Sequence, residues 1–226
     1  MNRSYQSERD SMVERQLVGR GICDERVLRA MGTVPRERFV DARMAAFAYD
    51  DSPLPIEAEQ TISQPFMVAW MIEAAEVGAD DHVLEVGAGS GYASAVLGQV
   101  AGTVHAIERH ELLTRIARER LDALGYANIH LRTGDGTLGW PEAGPFDAIL
   151  VAAAGPEVPA PLKEQLRIGG RLLMPLDIGG HGTQRLLKLV RHAESDYAQQ
   201  TLGSVAFVPL IGKYGWAEDE AHALRP

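Results

Sequence analysis

The sequence predicts an α/β protein of the doubly wound, Rossmann-like kind: a mostly parallel sheet with an antiparallel edge and an N-terminal helical extension. Three observations carry this. The apolar run His82-Val83-Leu84-Glu85-Val86 turns into an expected helix through Gly87-x-Gly89-x-Gly91, the strand–glycine turn–helix order of a nucleotide-type site. Apolar strand-like runs then alternate with helical ones, as in parallel sheets covered by helices. Near the end the pattern changes, and "RLLKLVRH" and "YAQQTLGSVAFVPL" read as two antiparallel strands closing a sheet edge.

The elements follow in chain order. Residues 5–47 read as helical, with Met12, Leu17, Val27, Leu28 and Met31 as apolar stripes and Gly19 and Gly21 separating two helices. Residues 48–64 hold prolines and little helical period, which predicts a loop. Pro65 suits the first turn of a helix, with "FMVAWMIEAAEV" as its body. Strands are expected at 82–86, 103–107, 129–132, 146–151 and 171–175, and helices at 91–100, 110–124 and 159–166.

Composition narrows the function. The chain has 226 residues, 46% of them hydrophobic, enough for one large domain. A net charge of −9 argues against a general nucleic-acid binder. The longest apolar runs fall short of the roughly 18 residues of a membrane span, and the N-terminus lacks a signal-peptide core. Cys23 is the single cysteine, so a reducing cytoplasm is the expected compartment. Metal chemistry is not expected: the seven histidines are scattered, with no HExxH. His105, inside a strand, reads as a packing residue, as do Tyr92 and Trp140, although either of the last two could border a bound base.

The glycine spacing separates cofactors. A dinucleotide fingerprint is G-x-G-x-x-G; here it is G-x-G-x-G, preceded by Glu85. An acid beside that turn opposes a pyrophosphate but suits a ligand with an ammonium and a sulfonium. "TVHAIE" ends in Glu108, which could accept both hydroxyls of a ribose. Gly134-Asp135-Gly136 follows strand 129–132; Asp135 could accept from an adenine amine while Gly136 gives the ring room. Together these favour S-adenosylmethionine over NAD.

"EQTISQPF", Glu59 to Phe66, is the other unusual stretch. Read from residues alone, Ser63 is a cap for the helix starting at Pro65. However, "PLPIEAEQTISQPFMVA" followed by "VLEVGAGSGY" resembles protein-L-isoaspartate O-methyltransferases. So do "MVERQLVGRGICDERVLRAMGTVPRERFV", "GDG", "FDAILVAAAGPEVPAPLKEQLRIGGRLLMPL" and "FVPLIGKYGW". The resemblance covers nearly the whole chain.

It implies a class I methyltransferase fold over 1–226, with N-terminal helices and active-site loop in 1–64 and the cofactor-binding core and C-terminal strands in 65–226. Its last strands would be reordered relative to other class I enzymes. It implies methyl transfer to the free α-carboxylate of L-isoaspartyl residues in damaged peptides and proteins, by a monomer. Ser63 would be the active-site residue, and Thr61, Ile62 and Ser63 would border the cofactor. Thr61 and Ser63 would also meet the substrate, with Phe207 and Val208 of "AFVPL" pairing with its backbone as an extra strand would. One departure stands out: many members have glycine where this chain has Glu59. Alternatives are a methyltransferase of another acceptor, a non-catalytic binder of isoaspartyl peptides and, further off, a dehydrogenase.

Overall fold

The apolar runs form the centre of a seven-stranded sheet in the computed structural model, which describes residues 5–178 and 183–222. The N-terminal extension begins with α1 (Gln6–Ser11), which continues through a π-helical turn (Met12–Leu17) and a 3-10 turn (Val18–Arg20). Gly21, at φ +94°, ends it, whereas Gly19 lies inside the last turn. Helix α2 (Glu25–Thr33) is capped by Asp24, whose carboxylate accepts from Arg26 and Val27 N–H. The expected loop 48–64 contains a short antiparallel pair, β1 (Leu54–Pro55) and β2 (Thr61–Ile62), around a 3-10 turn.

The core runs α3 (Pro65–Ala74), β3 (His82–Val86), α4 (Tyr92–Val100), β4 (Thr103–Glu108), α5 (Glu111–Ala123), β5 (Ile129–Thr133), β6 (Phe146–Val151), α6 (Ala160–Glu164), β7 (Leu166–Asp177), β8 (Gln184–Arg191), β9 (Tyr197–Val205) and α7 (Glu218–His222). The strand order is β5-β4-β3-β6-β7-β8-β9. The first five are parallel, and β8 and β9 add antiparallel. After β5 the chain returns to the far side of β3. That reversal opens a crevice at the carboxyl ends of the central strands, where doubly wound sheets bind ligands.

Strand β3 is nearly all apolar because parallel strands are buried on both faces. Its alternation sends Val83 into a core shared with the N-terminal extension and helices α3 and α4, and Leu84 and Val86 into a second core with Phe146 and Leu162. Strand β7 is longer than the expected 171–175, because it pairs with β6 from Leu166 across a register shift, where Gly169 takes φ +83°, and with β8 as far as Asp177. His82, His105 and His130 line up across β3, β4 and β5, with His82 Nε2 2.8 Å from His105 Nδ1. Trp140 and Phe146 pack edge-on and tilted against His105. Burial, with the neighbouring histidines, lowers His105 to about 4, so at neutral pH it is an uncharged packing group.

The extension docks on α4 through Tyr92. The Arg36 guanidinium is fully buried, donates from Nε to Ala48 C=O (2.6 Å) and lies 4.8 Å over the Tyr92 ring. Phe39 meets the same ring edge-on, and Tyr92 O–H donates to Met31 Sδ.

Candidate active site

The glycine turn folds back over the end of β4. Gly87 and Gly89 take φ of +89° and +53°, a region open mainly to residues without a Cβ. Gly87 and Ala88 N–H donate to Ile107 C=O at 2.8 and 3.2 Å. Glu108 fixes the turn further: one oxygen accepts from Gly89 N–H and the other from His110 N–H, both at 2.9 Å. Glu108 is 5% exposed and Glu85 2%. Burial pushes the Glu85 carboxyl up to about 7, and the nearby Glu108 charge adds to this against a hydrogen bond from Ser94. A buried acid with a single neutral partner is a good place for a cation to settle.

These residues line one cleft together with Thr61, Ile62, Ser63 and Gly136. Gly136 is there for space: a Cβ on it would stand 2.4 Å from Val86 Cγ1. Asp135 is not brought into the lining. Its Oδ1 accepts from Thr137 N–H (2.9 Å) and Oγ1–H (2.6 Å), and its Oδ2 from Lys213 N–H (2.8 Å). It caps a 3-10 turn and ties down the C-terminal segment.

A second cavity, a groove of about 680 Å³, adjoins the cleft. Thr61, Ser63, Ala152 and Val208 line both. Ser63 is not the helix cap that its position suggests. The residue before α3 is Gln64, and no side chain caps that helix; the Ser63 hydroxyl has no hydrogen bond among the described residues. Glu59 borders the groove with φ +55°, and Ala58 beside it has φ +57°. Glycine would fit that backbone with less strain.

Phe207 and Val208 line the groove, but the expected main-chain pairing through Phe207 does not fit. The Gln184 side chain accepts from Phe207 N–H (2.7 Å) and donates to its C=O (2.9 Å), occupying both groups as a strand neighbour would. Val208 C=O accepts from Ala154 N–H (2.8 Å). Phe207 therefore meets the groove through its side chain. Sequence reasoning missed Gln184, Ser94 and Ala152; only Ala152 left a signal, the small-residue run "VAAAG" directly after a buried strand.

A doubly wound sheet of this order, a G-x-G-x-G turn, an acid at the next strand end and a buried acid, Glu85, beside the turn define a Rossmann-like class I methyltransferase. The comparisons with known proteins are narrower. Residues 7–215 match the family model described as protein-L-isoaspartate(D-aspartate) O-methyltransferase. The chain is 53% identical over 216 residues to a protein-L-isoaspartate O-methyltransferase of Brucella anthropi, covering 96% of this chain and 99% of that one. It is 52% identical over 209 residues to one of Rhodopseudomonas palustris, covering 92% and 95%. A solved protein-L-isoaspartate O-methyltransferase superposes with a TM-score of 0.84 at 27% identity, over 92% of this chain and 67% of that one. A Plasmodium falciparum chain described under the same name, solved with S-adenosyl-L-homocysteine, gives 0.78 at 26% identity, over 90% and 98%. The chain belongs to the protein-L-isoaspartate O-methyltransferase family.

Proposed function

We propose that the protein transfers a methyl group from S-adenosylmethionine to the free α-carboxylate of L-isoaspartyl residues in damaged peptides and proteins. The observation that carries this reading is the shared wall of Thr61, Ser63, Ala152 and Val208 between a cleft suited to a cationic nucleoside and an open groove. S-adenosylmethionine brings the methyl group on a sulfonium. Glu85 would hold its positive end, Glu108 would accept from the ribose hydroxyls with its remaining lone pairs, and Gly136 would leave room for the base. Thr61, Ile62 and Ser63 would close the cleft. The Ser63 hydroxyl would donate to the acceptor carboxylate and keep it in line with the methyl.

The acceptor is ionised at neutral pH, so no side chain has to remove a proton. Catalysis comes from alignment and water exclusion. The direct test is radiolabelled methyl transfer to peptides differing only in Asp against isoAsp. Label should enter the isoaspartyl peptide alone; equal labelling of both, or of neither, would overturn the reading. At saturating cofactor and peptide the chemical step should be nearly flat from about pH 6 to 8, whereas a hydroxyl or amine acceptor would show a base in the profile.

Cofactor affinity should depend on pH where the chemistry does not. Without ligand, Glu85 is raised to about 7. The ligand's positive charge favours the carboxylate, so binding lowers that value and releases a proton. Affinity should rise with pH up to about 7 and level off above it, with a slope approaching tenfold per unit on the acid side. Calorimetry from pH 5.5 to 8 reads this, and Glu85→Gln should flatten the profile. A wild-type Kd that does not change below pH 7 would remove Glu85 from the role.

The same reading places the protein in the cytoplasm as a monomer that uses neither nucleic acid nor membrane. The net charge of −9 and the single, exposed Cys23 support it, and no helix among the described residues is long and apolar enough to cross a membrane.

A further inference from the structure

The acceptor groove has a wall that the transfer of a methyl group does not use. Phe66 and Trp70, one helical turn apart on α3, stack with ring centroids 6.0 Å apart and 23° between planes. The Arg20 guanidinium lies 3.5 Å over the Phe66 ring and is fixed there by Asp51 at 2.7 Å. On the other side the Trp70 indole lies against β9, where a Cβ on Gly203 would stand 3.0 Å from its Cη2. The rings are held by packing on both sides, yet both remain half-buried, and both line the groove with Met67. A rigid aromatic surface facing an open groove has little entropy to lose on contact.

We propose that Phe66 and Trp70 form a side-chain subsite for an aromatic or bulky aliphatic residue of the substrate, two to four positions from the isoaspartyl residue on one flank. This rests on the function proposed above. The groove is continuous with the transfer site: Ser63 and Val208 line both, and Trp70, which lies over Gly203 of β9, lines the groove with Ser204 and Phe207. Gly203 and Phe207 are four residue steps apart, at most about 13 Å at the strand rise. A peptide lying along this edge would therefore bring a neighbouring side chain, not the isoaspartyl itself, onto the rings. Arg20 selects against a cation: its guanidinium already covers one face of Phe66 and would repel a second positive charge.

The test walks one phenylalanine through positions −4 to +4 of an otherwise alanine- and serine-flanked isoaspartyl peptide, and repeats the walk with lysine. Phenylalanine at one position two to four residues away should raise kcat/KM about threefold to tenfold over alanine. The gain should lie in KM, with kcat unchanged, and lysine should give none. In Trp70→Ala the ratio of phenylalanine to alanine peptide should fall to about one, in Phe66→Ala it should fall partway, and Trp70→Phe should retain most of it. Cofactor affinity and thermal unfolding check that the variants fold. The proposal is overturned if no position shows the gain in the wild type, or if the gain survives both alanine variants. It also falls if Trp70→Ala changes the sedimentation coefficient instead, since the wall would then be a contact between copies. Failure of the functional reading looks different: no isoaspartyl peptide would be labelled at all.

Discussion

Replacing Glu108 by alanine is expected to raise the Kd for S-adenosylmethionine by about 10- to 150-fold, the range of 1.5–3 kcal/mol for hydrogen bonds to a charged group. Two losses combine. The ribose hydroxyls would lose their acceptor, and Gly89 and His110 N–H, each 2.9 Å from a Glu108 oxygen, would lose theirs. The second loss loosens the glycine turn even before ligand arrives, so the unliganded variant should also melt at a lower temperature. Glu108→Gln keeps one carbonyl oxygen but turns an N–H₂ toward a backbone donor, and should fall between wild type and alanine. Isothermal titration of folded variants decides it. Unchanged affinity in Glu108→Ala would end the ribose assignment.

Ser63→Ala should lower kcat by about 10- to 150-fold while leaving cofactor affinity within about twofold, because its hydroxyl would donate to the acceptor carboxylate while its backbone and Cβ, which would border the cofactor, remain. The structure sharpens this experiment. A serine capping α3 would cost about 1 kcal/mol of stability on removal, which would mix folding with catalysis. Here Gln64 precedes the helix and no side chain caps it, so thermal unfolding of Ser63→Ala should match the wild type. Activity that falls only in proportion to folded protein would return Ser63 to a structural role.

Much of the fold was legible because buried parallel strands must be apolar on both faces. Runs such as 82–86 and 146–151 carry that requirement on their own, and β3 and β6 have those bounds. Glu85, Gly87, Gly89 and Glu108 were legible for the same reason: an acid or glycine ending such a run has few structural excuses. The local bonds of Asp135 were not legible because two uses compete for the same side chain. A short acid followed by Gly-Thr can reach the amide two residues on, and the structure shows that local bond. Gln184 left no trace in the sequence, since its partner Phe207 lies 23 residues away and any long polar side chain at the start of a strand looks alike. The π-helical turn at Met12–Leu17 is hidden too, because its apolar spacing differs little from that of an ordinary helix.

Tyr92 belongs to two structures at once. It lines the cleft at the start of α4, and its ring is gripped by Arg36, Phe39 and Met31 from the N-terminal extension. Whatever steadies the ring from one side steadies it for the other, and free-energy coupling of this kind is reciprocal. The extension that carries Met31, Arg36 and Phe39 is then coupled to the cleft through that ring, although the cleft lining begins only at Gln60. Filling the cleft would tighten their hold on the core, and loosening them would be felt in the cleft as a weaker grip on the ligand.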